Sequence, residues 1–183
     1  DHFVCMEIGA IDIYDFYFRA ARNLGVDHTT FLHLTQDYEQ ACAPLFSLRP
    51  TILLTVPSLL IRAWPVICKY WKDETCPIKT VIYMGEAMHE SFRREVELQW
   101  GCQVRSFYGT TETGGIGLDC EYKNGIHFDP SSILPTLESA KPISEYVHEG
   151  EVLFTTLHIR TQSVIKYRVG DHVRLDAEPC TCG

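Results

Sequence analysis

The chain has 183 residues, of which 45% are apolar and 22% charged, the balance of an ordinary globular protein with one good-sized core or two small subdomains. Its net charge of -8 and the lack of a Lys/Arg stripe argue against a nucleic-acid-binding surface, because phosphate binding requires clustered positive charge. The apolar runs, such as residues 52–60, are far shorter than the roughly 20 residues of a membrane-spanning helix, so we expect no membrane segment.

Helix-like and strand-like segments alternate from residue 11 to about residue 107, which favours a parallel sheet covered by helices. The apolar spacing predicts helices at 11–23, at 36–48, from Pro57 onward and at 92–100. Short apolar runs between them predict strands at 31–34, 51–55, 79–84 and 103–107.

The helix predicted at 92–100 is amphipathic. Phe92, Val96 and Trp100 recur at four-residue spacing and form one apolar face, and Gly101 is a typical helix stop. We expect the remaining charged side chains of this helix to face solvent, namely Arg93, Arg94, Glu95 and Glu97. The segment is therefore predicted to be a surface helix packed on a sheet.

The pattern changes near residue 117 to short β segments, so we place a subdomain boundary there. Residues 1–117 form the predicted α/β part, and residues 118–183 form a predicted β-rich subdomain. Within the latter, Asn124-Gly125 predicts a hairpin turn, residues 151–156 a strand, and residues 163–175 a pair of strands around Gly170.

The cysteines fall into two groups. Three of the eight cysteines lie in the β-rich part, and the other five lie scattered among apolar segments, at positions 5, 42, 68, 76 and 102. A small hydrophobic side chain is the ordinary use of such a position, so we interpret them as reduced thiols of a cytoplasmic protein. The chain starts without Met or a secretory signal and ends within a Cys-rich motif, and we interpret both ends as cuts.

Residues 108–115 read Tyr-Gly-Thr-Thr-Glu-Thr-Gly-Gly and follow a predicted strand. An aromatic ring, flexible glycines and adjacent hydroxyl and carboxylate groups could stack a base, wrap a phosphate and hold a divalent cation. The carboxyl ends of strands in open α/β sheets are where ligands bind. A plain polar turn explains the same residues equally well, because short Gly/Thr motifs recur by chance.

Two further segments are weaker signals. In residues 165–174, Gly170 permits a bend that exposes Asp171, whose carboxylate could accept both hydroxyls of a ribose. A charged β-turn is the alternative. In residues 83–88, Gly85 at a strand end would let a ligand lie against the backbone.

Together and in this order, the three segments resemble motifs of the adenylate-forming superfamily of acyl-coenzyme A synthetases. The Gly85-Glu86 turn resembles its adenine loop, residues 108–112 match Tyr-Gly-x-Thr-Glu, and residues 167–171 match Tyr-Arg-x-Gly-Asp. Residues 54–58 (Leu-Thr-Val-Pro-Ser) and the Arg/Glu-rich helix after Gly85-Glu86 resemble the phenylacetate-coenzyme A ligase branch. The resemblance covers nearly the whole chain and is strongest from about residue 78.

The resemblance implies roles for individual residues. Tyr108 would stack on adenine, Thr111 would contact the α-phosphate, Glu112 would help to hold Mg²⁺, and Asp171 would bind the ribose. Thr111 and Glu112 would be the catalytic residues. The implied nucleotide-binding set for ATP or AMP is Gly85, Glu86, Tyr108, Gly109, Thr111, Asp171 and Arg174.

The same branch carries a metal site with a Cys, a His and a Cys-x-Cys-Gly motif, which here would be Cys120, His127, Cys180 and Cys182. Three thiolates and one imidazole make a closed tetrahedral set, so the zinc would be structural. The Asn124-Gly125 hairpin can bring His127 beside Cys120. The alternative is free cysteines with His127 as a plain strand residue, since Cys-x-Cys is tighter than usual zinc-ribbon spacing.

The implied activity is ATP-dependent conversion of a small carboxylic acid, presumed aromatic and phenylacetate-like, to an acyl-adenylate and then to a coenzyme A thioester. Two alternatives stay open: adenylylation of a deazaflavin cofactor, and a zinc-stabilised non-catalytic binding module. A homodimer is compatible with the resemblance. The phosphate-cradling loop of the superfamily should precede residue 1 and its Lys-bearing lid should follow residue 183, so we expect the chain alone to be inactive or nearly so.

Overall fold

The computed structural model describes residues 1–9, 11–72, 74–157 and 163–182. The chain folds into two compact units, Asp1–Ser106 and Phe107–Gly183. The sequence-based division into 1–117 and 118–183 stays a proposal for the boundary of the subdomains. Strand β5 contributes its first residues to the first unit and its last residues to the second.

A parallel sheet forms the centre of the first unit. Its strands are β1 (His2–Glu7), β2 (His28–His33), β3 (Ile52–Thr55), β4 (Thr80–Tyr83) and the start of β5 (Gln103–Thr110). They lie in the order β2-β1-β3-β4-β5, and every neighbouring pair is parallel. The predicted α/β architecture is therefore confirmed for this unit, although the sequence pattern missed strand β1.

Helices in the described part of the first unit connect and cover these strands. They are α1 (Ile11–Asn23), α2 (Tyr38–Leu48), α3 (Pro57–Tyr70) and α4 (Glu90–Trp100), and all were predicted. Helix α2 begins after Asp37, whose carboxylate accepts a hydrogen bond from the backbone N–H of Gln40 at 3.0 Å and so caps the first turn.

The main core of this unit lies between the sheet and helices α2, α3 and α4. Trp64, Trp71 and Trp100 pack together there, with ring centroids 4.8 Å apart for Trp64 and Trp100 and 5.5 Å apart for Trp71 and Trp100. A smaller cluster on the other face of the sheet includes Phe3 and Phe18, whose rings meet edge to face. Alternate strand residues thus bury both faces, as expected of a parallel sheet between helices.

Arg93 contradicts the prediction that the charged residues of α4 face solvent. Its side chain is buried, and the guanidinium donates a hydrogen bond to the backbone carbonyl of Val104 at 2.7 Å. Arg94 does lie at the surface, where it pairs with Glu90 at 3.0 Å. The prediction was wrong for Arg93 because a long side chain can lie along apolar surface while its polar end finds a backbone acceptor.

The second unit is β-rich, as predicted for this part of the chain. The end of β5 pairs antiparallel with β6 (Gly114–Asp119), which pairs with β7 (Ile126–Phe128). Strands β8 (Ile133–Pro142), β9 (Val147–Thr156) and β10 (Tyr167–Asp176) form an antiparallel sheet in the order β10-β9-β8. The core of this unit is centred on Ile116, Ile133, Val152 and Phe154.

Three strand predictions in this region need correction. Strand β5 continues to Thr110 instead of ending at residue 107, and strand β8 was not predicted. The pair of strands predicted around Gly170 is a single strand, β10, with a register shift between Arg168 and His172. Gly170, at φ +87, forms a bulge and not a chain reversal, because the residues on both sides pair with the same neighbour, β9.

No helix within the described ranges is long and apolar enough to cross a membrane. No disulfide joins cysteines of the described residues, and Cys5, Cys42 and Cys102 are buried in the first unit.

Candidate functional site

The turn between β5 and β6 presents the two side chains predicted to be catalytic, those of Thr111 and Glu112. Residues 111–113 form the turn, which is closed by pairing of Thr110 with Gly114. Thr113 is fully buried, its N–H donates to the hydroxyl oxygen of Thr110 at 3.1 Å, and the two hydroxyls lie 3.0 Å apart. This buried threonine anchors the turn and leaves Thr111 and Glu112 exposed.

Gly109 lies within strand β5, directly before this turn. A Cβ atom at this position would lie 2.7 Å from the carbonyl oxygen of Gly114 on the facing strand, so a larger residue could not be accommodated without moving backbone. The close approach of the two strands is a sufficient structural reason for a glycine here. Its predicted contact with a nucleotide stays a proposal.

Tyr108 in β5 contacts Asp171 at the bulge of β10. The tyrosine hydroxyl donates a hydrogen bond to the Asp171 carboxylate, and the ring packs on Phe154 with centroids 6.0 Å apart. Burial, followed by the bond to Asp171, raises the pKa of Tyr108 above its ordinary value. The structure therefore brings together the side chains predicted to bind adenine and ribose, with the Asp171 carboxylate exposed.

Glu112 has a partner that sequence reasoning did not assign to the site. The Glu112 carboxylate raises the pKa of Tyr167, the first residue of β10, above its ordinary value. The backbone N–H of Glu112, the Tyr167 hydroxyl and the Thr110 hydroxyl together lower the pKa of Glu112 below its ordinary value. The signal for Tyr167 was its place at the head of the Tyr-Arg-x-Gly-Asp pattern.

Arg174 lies further along β10 and is exposed. Its guanidinium Nε donates to the carboxylate of Glu149, its pairing residue on β9, at 3.0 Å. The predicted nucleotide contact of Arg174 would thus be made by a side chain that already has an acidic neighbour.

Gly85 and Glu86 belong to the first unit, where they follow β4. Gly85 adopts φ +80, and no atom lies within 4 Å of the position that a Cβ would take. The Glu86 carboxylate accepts hydrogen bonds from the backbone N–H of Ser58 at 3.1 Å and from its hydroxyl at 2.9 Å, at the start of α3. The carboxylate is therefore engaged by a helix N-terminus, and the backbone of this turn is the part open to a ligand.

Four predicted metal ligands converge in the second unit. The ligand atoms of Cys120, His127, Cys180 and Cys182 all lie within 4.8 Å of one another. The β6–β7 hairpin places Cys120, just after β6, beside His127 in β7, and the turn after β10 supplies the other two thiols. Gly183, the last residue of the Cys-x-Cys-Gly motif, lies outside the described residues.

Two of the separations within this cluster match those of a tetrahedral zinc site. Zn–S bonds of about 2.3 Å and a Zn–N bond of about 2.0 Å place two sulfurs about 3.8 Å apart and a sulfur and a nitrogen about 3.5 Å apart. The Cys120 and Cys180 sulfurs are 3.8 Å apart, and the Cys182 sulfur lies 3.4 Å from His127 Nδ1. The four side chains therefore fit a closed zinc site with no open coordination position.

The local donors favour a thiolate at one of these cysteines. The backbone N–H of Cys182, together with the side chains of Cys182, Asn124 and Cys120, lowers the pKa of Cys180 to about 6. Burial and the neighbouring sulfurs raise the pKa of Cys182 to about 11. A metal cation would displace the remaining thiol protons, because thiolates are its ligands.

A cleft of about 510 Å³ in the second unit borders both sets of residues. Its wall is mostly apolar and includes Ile116, Phe128 and Phe154, and Tyr108 and Cys180 also line it. The metal cluster and the tyrosine of the predicted nucleotide site therefore share one boundary within this unit.

No family model matches the chain. A curated phenylacetate-coenzyme A ligase from Escherichia coli (strain K12) is 31% identical over 137 residues, which are 69% of this chain and 31% of that protein. Other curated proteins with the same description match at 26% to 29% identity. The chain spans about a third of the length of these relatives, which agrees with the interpretation that it is part of a longer protein.

Solved structures show the same fold at low identity. A 2-hydroxyisobutyryl-CoA ligase in an open conformation, in complex with 2-HIB-AMP and CoA, aligns with a TM-score of 0.72 and 17% identity over 93% of this chain and 42% of that one. A benzoate CoA ligase from Burkholderia xenovorans LB400 aligns with a TM-score of 0.65 and 19% identity over 93% and 39%. The fold and the curated relatives together show that the chain belongs to the phenylacetate-coenzyme A ligase family of the adenylate-forming superfamily.

Proposed function

We propose that this chain is part of an enzyme that uses ATP to activate a carboxylic acid as an acyl-adenylate and then forms a coenzyme A thioester. The observation that carries the proposal is the hydrogen bond between Tyr108 and Asp171, made beside the turn that exposes Thr111 and Glu112, in a chain that belongs to this ligase family. The activity named for the curated relatives supports it, although the chain spans about a third of their length.

Nucleotide binding is assigned to six positions in addition to Thr111. In this proposal the Tyr108 ring stacks on adenine while Asp171 accepts the ribose hydroxyls. An ionised carboxylate offers about four acceptor sites, so Asp171 can bind a ribose and keep its bond to Tyr108. The backbone at Gly85-Glu86 and Gly109 would border the base, and Arg174 would approach the ribose.

The phosphate end is assigned to the exposed part of the β5–β6 turn. The Thr111 hydroxyl would donate to an α-phosphate oxygen. Glu112 fits a magnesium ligand, because it is an exposed carboxylate whose lowered pKa keeps it ionised at neutral pH. Bound Mg²⁺ would neutralise phosphate charge. The role of the chain would be to hold the Glu112 carboxylate and the Thr111 hydroxyl beside each other.

In the first step, a carboxylate oxygen of the substrate attacks the α-phosphorus, and the bond to the leaving pyrophosphate breaks. In the second, the sulfur of coenzyme A attacks the acyl carbon, AMP leaves, and the thiol proton is released. Both steps require mainly that the reactants are positioned and the phosphate charge is balanced, so no side-chain nucleophile is needed. We therefore assign no catalytic role to the cysteines, and we expect the isolated chain to bind nucleotide weakly at most.

Zinc is assigned a structural role at Cys120, His127, Cys180 and Cys182. A bound ion would tie the turn of the β6–β7 hairpin to the segment after β10, and its closed ligand set leaves no position for a reacting water. Free thiols elsewhere in the chain accord with a reducing compartment such as the cytoplasm. A homodimer of the full-length protein is also part of this proposal.

An aromatic acid is the substrate class that we propose, supported by the phenylacetate and benzoate ligases among the relatives and structural neighbours. The test is ATP–pyrophosphate exchange by the full-length protein with aryl acids, short aliphatic acids and a deazaflavin. Stimulation by an aryl acid is expected. Stimulation by the deazaflavin alone would replace acid activation with cofactor adenylylation, and a zinc-loaded protein that binds no ATP would be a non-catalytic module.

A further inference from the structure

Asp171 lies in a bulge of β10, where regular strand pairing does not hold it. Arg168 and His172 both pair with β9, but their partners are only two positions apart, so the three residues between them face a single residue of that strand. The extra residues of a bulge are left without partners in the ladder, so their orientation depends on other contacts. The carboxylate proposed to bind the ribose therefore needs support from outside the strand pairing.

The side chain of Arg168 reaches across this bulge. Its guanidinium forms ion pairs with Glu151 on β9, at 2.5 Å, and with Glu138 on β8. Glu151 is the pairing residue of His172, which lies at the far end of the bulge, and not of Arg168 itself. The arginine thus links the residue before the bulge to the strand position opposite the residue after it. This link fixes the span of chain that carries Asp171.

The two acidic partners are placed for one cation between them. Glu138 and Glu151 lie directly opposite each other on neighbouring strands, and like charges in such positions destabilise a sheet. A guanidinium offers a planar set of donors that can serve two carboxylates at once, whereas a lysine ammonium is a compact point charge. The geometry therefore favours an arginine at position 168.

We propose that Arg168 is a positioning residue, whose ion pairs across the bulge hold the Asp171 carboxylate in place for the ribose hydroxyls of the nucleotide. This inference deepens the proposed function and rests on it, because the ribose contact of Asp171 is part of that function. Arg168 itself would touch neither the nucleotide nor the reacting atoms. It acts through the backbone between Arg168 and His172.

Asp171 is then held from two sides. Tyr108 donates a hydrogen bond to its carboxylate from the β5–β6 hairpin, while Arg168 fixes the backbone that carries it. Val169, within the bulge, packs against the core of the second unit and anchors the inner face of β10. A carboxylate that is fixed before the nucleotide arrives loses less conformational freedom on binding, which strengthens the contact.

The test compares the binding of ATP and of 2′,3′-dideoxyATP, which lacks both ribose hydroxyls, to the full-length protein by calorimetry in the presence of Mg²⁺. The wild type should prefer ATP by about 10-fold, because hydrogen bonds to a carboxylate are among the stronger ones. Arg168→Met keeps a long side chain and removes the charge. We expect its Kd for ATP to rise about 3- to 10-fold and its Kd for the dideoxy analogue to stay at the wild-type value.

Further variants separate positioning from a general loss of structure. Glu151→Gln should show the same selective loss of ATP affinity, in smaller degree because Glu138 remains beside the arginine. Addition of Arg168→Met to Asp171→Asn should cause no further loss, since the arginine acts through that carboxylate. Arg94→Met removes an exposed ion pair of the first unit and is the matched control, which should leave both Kd values unchanged.

The possible outcomes distinguish this inference from the proposed function. An unchanged Kd for ATP in Arg168→Met, or an equal loss for the two nucleotides, would overturn the positioning role and leave the proposed function intact. An ATP preference that depends on Arg168, in a protein that exchanges pyrophosphate with no acid, would refute the proposed function and leave the positioning role standing. A wild type that binds the two nucleotides equally would overturn both the positioning role and the ribose contact of Asp171.

Discussion

The carboxylate of Glu86 closes the first turn of helix α3 by accepting hydrogen bonds from both the backbone N–H and the hydroxyl of Ser58, at 3.1 and 2.9 Å. The helix needs such a partner because its N-cap residue, Val56, has no side chain that can accept a hydrogen bond. A negative charge at this end also interacts favourably with the helix dipole. A residue that the family resemblance relates to adenine binding thus has a structural role visible only in the fold.

Glu86→Ala should therefore destabilise the protein even when no nucleotide is present. Loss of a helix cap typically lowers the free energy of unfolding by about 1 kcal/mol, which a urea titration resolves. Glu145→Ala, at an exposed glutamate in the loop between β8 and β9, is the control and should leave the urea midpoint unchanged. Equal midpoints for Glu86→Ala and the wild type would show that the contact contributes nothing to stability.

Substitution of a zinc ligand should lower the metal content and the stability together. Protein purified without chelator should carry about one zinc per chain, measured by elemental mass spectrometry, and Cys180→Ser should lose most of it because three ligands bind zinc far more weakly than four. Cys68→Ser, in α3 and outside the cluster, should retain the metal. A wild-type protein without zinc would remove the assignment.

The β6–β7 hairpin should tolerate no side chain at position 117. A Cβ at Gly117 would lie 1.9 Å from the backbone carbonyl oxygen of His127, so Gly117→Ala must separate the two strands. We expect a loss of about 3 kcal/mol in unfolding free energy and weaker zinc binding, since His127 would move. Gly115→Ala meets only the side chain of Phe107, at 2.9 Å, and should cost less because a ring can rotate away. The reverse order of stabilities would contradict this.

Buried thiols should make the protein less stable at alkaline pH. Burial raises the pKa of Cys5 to about 12, that of Cys42 to about 11 and that of Cys102 to about 12, from an ordinary value of 9.0. Since the folded pKa values are raised, the contribution to stability is complete below about pH 9 and is lost as the pH rises toward the folded values, while the unfolded chain releases its protons.

The urea midpoint should accordingly be constant up to about pH 8 and then decline. Cys5→Ala removes one of these groups and should make the decline shallower. The urea midpoint of Cys5→Ala at neutral pH measures separately the stability lost with the packing of the thiol. An identical decline of the midpoint with pH in the variant and the wild type would exclude Cys5 as a contributor.

Local patterns predicted the elements that depend on local physics. The helices were found from their apolar spacing, and the end of α4 from Gly101, which adopts the left-handed conformation at φ 63. The Asn124-Gly125 turn does join β6 to β7, and the predicted metal ligands do converge. Local spacing explains only the pairs Cys120–His127 and Cys180–Cys182, and it was the family resemblance that implied the meeting of the two pairs.

Local sequence patterns did not predict the contacts between distant segments. Arg93 is buried because the carbonyl of Val104 lies within its reach, and no periodicity reveals that acceptor. The sequence around Gly170 is compatible either with the end of a strand or with a bulge inside one. It forms a bulge because the residues on both sides of Gly170 pair with β9.

The sequence by itself determined the α/β character of the first unit, the identity of its helices and the chemical types gathered in the three motifs that we assign to nucleotide binding, because these depend on spacing along the chain. The tertiary structure decided which groups meet: Glu86 with Ser58, and Tyr108 with Asp171. Each pair joins residues 28 or more positions apart. Contacts at such separations form only when packing of the core brings the segments together, so local sequence patterns cannot specify them.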